Sequence, residues 1–159
     1  MALNPQTMTP GSAVAQTIHI SDMAYCAGLF DGEGCVAAYR LNYDPPRWSV
    51  RVTISMVNPK ALRKIQNLFG GSLSYSNPKN CWSWYPGARA STTFLRAVLP
   101  YLTVKKDEAI LALQLRTRME EYKHVSRGCD GQALLSPAEV NIRQSLVDEI
   151  KALKRRQVA

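Results

Sequence analysis

The sequence predicts an α+β domain in which a four-stranded antiparallel sheet carries helices on one face, in the order α-β-β-α-β-β-α followed by C-terminal helices. Three observations lead there. Residues 48–56 alternate strictly: Trp48, Val50, Val52, Ile54 and Met56 are apolar, while Ser49, Arg51, Thr53 and Ser55 are polar. That is the pattern of a strand covered on one side only. Turn residues at Asp44-Pro45-Pro46-Arg47 and Asn77-Pro78-Lys79-Asn80 each divide two strand-like runs, giving two hairpins. Capping signals bracket the remaining apolar stretches and mark them as helices.

Taken in order, Met1 to Gln16 reads as a loose N-terminal arm, and residues 17–159 as one domain. Ser21 is placed to cap a helix running to Asp31, with Asp22 at its positive end, and Gly32 and Gly34 stop it. Cys35–Tyr43 and Trp48–Met56 form the first hairpin. Asn58-Pro59 then opens a helix whose inward face is Leu62, Ile65 and Phe69 and which ends at Gly70-Gly71. Ser72–Ser76 and Cys81–Tyr85 form the second hairpin. Ser91 or Thr92 is placed to cap a helix to Leu99, and another runs from Lys105 to Tyr122. Ser136-Pro137-Ala138-Glu139 is a capping box that opens a basic C-terminal helix.

The 159 residues carry 20 Lys+Arg against 12 Asp+Glu, a net charge of +8, which favours a polyanionic partner. Cys26, Cys35, Cys81 and Cys129 are scattered without a CxxC pair, so neither a zinc finger nor a disulfide framework is expected. They read as reduced thiols. No stretch is long enough for a membrane span, and the first twenty residues lack the charges of a signal or transit peptide. A soluble intracellular protein is the expectation. His19 and His124 are too few and too far apart for a histidine-metal nuclease, and P-loop, GxSxG and HExxH motifs are missing.

One stretch stands out: Tyr25-Cys26-Ala27-Gly28-Leu29-Phe30-Asp31-Gly32-Glu33-Gly34. Ala24, Gly28 and Gly32 recur at helical spacing, a ridge of minimal side chains that allows another helix to approach closely. Glycine inside a helix costs about 1 kcal/mol against alanine. Asp31 and Glu33 then fall at the helix C-terminus, where the dipole disfavours negative charge. Bare backbone followed by badly placed carboxylates points to a site.

The stretch resembles the motif of the LAGLIDADG endonucleases, with Cys26 for the first Leu, Phe30 for Ile and Glu33 for the final Asp. The likeness extends through the helix, hairpins and trailing helices over roughly residues 20–125. It implies a saddle-shaped sheet and a metal-dependent enzyme that cuts both strands of a long pseudo-palindromic DNA site, leaving short 3′ overhangs. A single motif implies a homodimer paired through Ala24, Gly28, Leu29, Asp31 and Gly32, with Asp31 helping to cap the partner helix. The family pattern assigns Mg²⁺ to Glu33 and the Gly32 carbonyl. It puts a basic catalytic group at Lys105, within Pro100–Lys106, and a water-holding residue at Asn58, itself a good helix cap.

The resemblance also implies that the free face of the sheet reads bases in the major groove. On the second strand that face is Ser49, Arg51, Thr53 and Ser55, with Arg51 suited to a bidentate contact with guanine. On the first strand the family register turns Tyr39 and Leu41 outward, whereas Arg40 and Asn42 are chemically the better readers; a bulge would reconcile the two. Tyr75, Asn77, Trp82 and Trp84 are candidates on the second hairpin, with inward packing of Trp82 or Trp84 against the helices as the alternative. Arg47, Lys79 and Asn80 in the turns, with Lys151, Lys154, Arg155 and Arg156, suit phosphates. Two rival readings use the same fold: an RNA maturase acting in intron splicing, which needs no metal acid, and a non-catalytic DNA-binding regulator. The retained acid at Glu33 favours the nuclease.

Overall fold

The computed structural model describes residues 19–121 and 135–158; the expected arm over 1–16, Cys129, His124 and the predicted helix end at Tyr122 lie outside the described residues. The elements run α1 (Ile20–Glu33), β1 (Gly34–Leu41), β2 (Arg47–Met56), α2 (Lys60–Phe69), β3 (Ser72–Ser76), β4 (Cys81–Tyr85), α3 (Gly87–Val98), a 3-10 turn (Leu99–Tyr101), α4 (Lys106–Glu121) and α5 (Pro137–Val158). This is the predicted order. The strands pair antiparallel in the order β1-β2-β4-β3.

Alternation along β2 settles which side is covered. Trp48, Val50, Val52 and Ile54 are buried and Arg51 is exposed. Pairing carries that face across the sheet, with Val36 opposite Val52, Ala38 opposite Val50, and Trp84 opposite both Ile54 and Leu73. The helices cover it. Phe94 of α3 makes tilted edge contacts with Phe30 (5.2 Å), Phe69 (5.1 Å) and Trp84 (5.0 Å), joining α1, α2 and β4 in one core. β2 and β4 pair only where Ile54–Met56 meet Trp84–Trp82, so each hairpin extends beyond a short seam.

Helix ends depart from the sequence cues where backbone geometry overrides them. α1 starts at Ile20 after His19 rather than after Ser21, and continues through Gly32 to Glu33. α3 starts at Gly87, because Pro86 and the left-handed Gly87 (φ 69°) turn the chain out of β4. Ser91 and Thr92 are therefore inside the helix, and their hydroxyls donate to the carbonyls of Gly87 (2.5 Å) and Ala88 (3.2 Å) instead of capping. α5 opens as predicted, with the Glu139 N–H donating to Ser136 Oγ at 3.2 Å. The Glu139 carboxylate does not close the box. It is 1% exposed and accepts from Arg118 of α4 at 2.5 Å and from Arg143 at 2.8 Å, tying α4 to α5.

Gly34 joins α1 directly to β1, and a Cβ there would overlap the ring and carbonyl of the fully buried Phe30. Gly34→Ala is expected to lower stability by about 2 kcal/mol. The check is the denaturant midpoint at unchanged m-value, and an unmoved midpoint would mean that Phe30 repacks freely. Among the described residues no helix is long and apolar enough to cross a membrane.

Candidate functional site

The two sides of α1 differ completely. Cys26, Ala27 and Phe30 are fully buried, while Ala24, Gly28 and Gly32 are exposed in a row. A Cβ built on Gly28 or Gly32 meets nothing within 4 Å, so the glycine ridge lies open. Leu29 packs partly on the core and only borders the ridge. Burial pushes the Cys26 thiol up to about 11, which keeps it a protonated core residue. Cys35 and Cys81 are likewise free thiols.

Asp31 caps a helix of its own chain. Its carboxylate accepts the N–H of Thr103 at 2.8 Å and of Lys105 at 2.9 Å, at the start of α4 in the same chain. Partial burial pushes this carboxyl up, but the backbone donors of Thr103, Lys105 and Val104 and the Lys105 charge outweigh it, and the net direction is down. The Lys105 ammonium in turn donates to the Asp31 carbonyl, which fixes it at the C-terminal end of α1. Glu33 ends the same helix, exposed, with no hydrogen bond or ion pair among the described residues. Asn58 is exposed just before α2, where its Oδ1 accepts the Lys60 N–H at 3.0 Å.

Sequence reading passed over Glu108, one turn beyond Lys105. It is 1% exposed, and neither carboxyl oxygen has a hydrogen-bond partner among the described residues. Burial pushes its carboxyl up against the lowering effect of Lys154 and Lys105, and Asp31 adds to the rise. Lys154 is half-buried, its ammonium 3.0 Å from Cys35 Sγ. A raised carboxyl in the folded state means the native form holds the proton more tightly. The penalty is absent below the ordinary glutamate value of 4.5 and grows as pH rises from there to the folded value. Glu108→Gln is therefore expected to gain stability over the parent as pH goes from 4 to 8, seen as diverging melting temperatures. Parallel curves would show that the carboxyl's charge carries no cost.

On the sheet, β1 and β2 pair residue by residue from Gly34↔Ile54 to Leu41↔Arg47, without the bulge that would have let Arg40 and Tyr39 share a face. Tyr39, Ser49, Arg51, Thr53 and Ser55 lie on the uncovered face. Arg40 lies on the helix side, its guanidinium 5.8 Å from the Trp48 ring centre. Asn42 is exposed just past the strand. Two outward guanidiniums rest on aromatic rings: Arg51 on Tyr39 at 5.5 Å and Arg47 on Tyr43 at 5.1 Å. Tyr39, Arg51, Tyr85 and Arg116 line one recess beside the β2 edge that β4 leaves unpaired.

The second hairpin corrects the assignment of its aromatics. Tyr75 is opposite Trp82 and Leu73 opposite Trp84, which puts Tyr75, Trp82 and Trp84 on the helix side. Trp84 is fully buried, and its indole N–H donates to the Gly70 carbonyl at 2.9 Å. Tyr75 and Trp82 pack ring to ring at 5.2 Å, and the Tyr75 hydroxyl bonds Asn80 at 2.8 Å. The uncovered face carries Ser72, Ser74, Ser76, Cys81, Ser83 and Tyr85 instead. The signal was available: these serines alternate with Leu73, Tyr75, Trp82 and Trp84 at the same period of two as in β2. Asn77, Lys79 and Asn80 are exposed at the turn.

No protein-family model matches the chain, and no curated protein matches it. Solved structures do. The homing endonuclease I-CvuI, crystallised in complex with its target in the presence of Ca, aligns with TM-score 0.67 and 23% identity over 84% of this chain and 82% of its own. An archaeal intron-encoded homing endonuclease complexed with DNA, I-Vdi141I, aligns with TM-score 0.67 and 14% identity over 84% of each chain. The LAGLIDADG homing endonuclease I-GzeII, in complex with a DNA target, aligns with TM-score 0.56 and 18% identity over 82% of this chain and 43% of its own. The α+β fold is shared with these structures.

Proposed function

We propose that this chain, which has the LAGLIDADG homing endonuclease fold, is a site-specific double-stranded DNA endonuclease acting as a homodimer with Mg²⁺. The observation that carries this is the end of α1. There the exposed Glu33 carboxylate, unpaired among the described residues, and the tethered Lys105 ammonium adjoin an open glycine ridge.

Two copies meeting ridge to ridge would bring their Glu33 carboxylates together at the dyad, one for each DNA strand. The donor set fits a hard cation. Each chain offers an exposed carboxylate and, at a helix end whose last carbonyls lack helical partners, the Gly32 oxygen. Mg²⁺ commonly takes one or two carboxylates and completes its shell with phosphate oxygens and water. When bound, it would polarise the scissile phosphate, activate water and stabilise the leaving 3′ oxygen.

The remaining work falls to the chain. Asp31 caps α4 and so fixes Lys105 against the motif helix, where its charge opposes the charge that builds on the phosphate in the transition state. The basic chain, net +8, draws the duplex onto the uncovered sheet face. Arg47 at the start of β2 and the turn residues Lys79 and Asn80 hold the backbone, while Arg51 and its outward neighbours meet base edges. A pseudo-palindromic site follows from this two-fold arrangement, and its length and short 3′ overhangs are what resemblance to the LAGLIDADG endonucleases implies.

The test is incubation with a randomised duplex library in Mg²⁺, in EDTA, and alongside structured intron-like RNA. Metal-dependent double-strand cuts at discrete sites are expected. Tight RNA binding with intact duplex in every condition would replace the nuclease by the maturase reading.

A further inference from the structure

The two hairpins present very different chemistry to whatever lies on the uncovered face. On β1–β2 that face carries Tyr39, Arg47, Ser49, Arg51 and Thr53, and both guanidiniums are propped on aromatic rings, at 5.5 Å for Arg51 and 5.1 Å for Arg47. On β3–β4 it carries hydroxyls and one thiol in place of amides, carboxylates or guanidiniums. Ser72, Ser74 and Ser76 line β3, and Ser83 is tied by its hydroxyl to Ser55 at 2.7 Å. Tyr75, Trp82 and Trp84 of that hairpin are on the helix side, and its outward aromatic, Tyr85, ends β4 in the recess that Tyr39 and Arg51 line.

Resting on the DNA-binding reading above, we infer that base discrimination is concentrated on one hairpin. Arg51, held on Tyr39, selects guanine within each half-site, and the serine-faced β3–β4 sheet surface is permissive. A guanidinium offers a rigid fork of donors that matches guanine O6 and N7 and rejects the donor that adenine presents at its sixth position. Stacking on Tyr39 removes freedom the fork would otherwise lose on binding. A serine hydroxyl, by contrast, donates or accepts by rotating, so it satisfies either kind of base edge and separates bases weakly. Its short reach also leaves room for water between strand and groove. The half-site then has a strict segment under β1–β2 and a tolerant one under β3–β4.

Selection of bound duplexes from a randomised library, read position by position, tests this with three proteins. The parent is expected to show at least one guanine preferred about tenfold in each half-site. A separate segment should vary by less than about threefold. Arg51→Ala is expected to erase the guanine preference and leave the rest of the profile in place. Ser74→Arg, at an exposed outward position, is expected to create a new guanine preference inside the tolerant segment. A strict guanine that survives Arg51→Ala, or a profile equally strict in both segments, would overturn the inference. A flat profile with duplex retained would overturn it too, while leaving DNA binding intact. Failure to retain any duplex would overturn the DNA-binding reading itself.

Discussion

Glu33→Gln is expected to reduce duplex cleavage by about a thousandfold while leaving duplex affinity within about threefold. The substitution keeps the size of the side chain and removes only its charge. Glu33 is exposed at the end of α1 and supports no other described residue, so nothing in the fold depends on it. A carboxylate there works against the helix dipole, which makes its removal neutral or slightly favourable for stability. Cleavage rate, binding and melting temperature measured on the same preparation separate these roles. Cleavage that persists at the parent rate would remove Glu33 from the centre, whereas loss of binding in step with cleavage would make it a DNA contact instead.

Gly28→Leu carries the second large effect. A side chain at this position meets nothing within 4 Å in a single chain, and Gly28 is mid-helix, so the monomer should fold at least as well as the parent. In a dimer packed ridge to ridge the same leucine would hold the two helices apart. Light scattering is expected to show the parent as a dimer and Gly28→Leu as a monomer of unchanged or higher melting temperature. Double-strand cleavage should fall by about a hundredfold or more, since a 1 Å misplacement at a reacting centre is already that costly. A variant that stays dimeric and active would put the pairing surface elsewhere.

Element order and the buried face of β2 were legible because alternation and turn residues are local signals. Trp48, Val50, Val52 and Ile54 needed only their spacing to be placed inward. The motif likewise exposed its small-residue ridge before any coordinates. What the sequence left undecided depends on contacts between distant residues. Asp31 stood out only as a motif acid, and its contact with the amides of Thr103 and Lys105 is one that no periodicity connects to it. Glu108 reads as an ordinary polar helix residue and becomes unusual only when α4 and α5 bury it. The second hairpin was misread for a different reason. Aromatic residues were judged by what they can recognise, while their alternation with serines gave the face directly, and Trp84 follows the core. Arg40 shows the limit of chemical preference in the same way, since unbroken pairing with β2 turns it toward Trp48.

The proposed two-fold metal nuclease is tested most directly by sequencing the ends of duplexes cut in Mg²⁺ from a randomised library. The dimer with one Glu33 per strand requires paired cuts centred on two similar half-sites, and the family resemblance adds an offset that leaves short 3′ overhangs. Duplexes left whole, or cut on one strand without half-site symmetry, would contradict it.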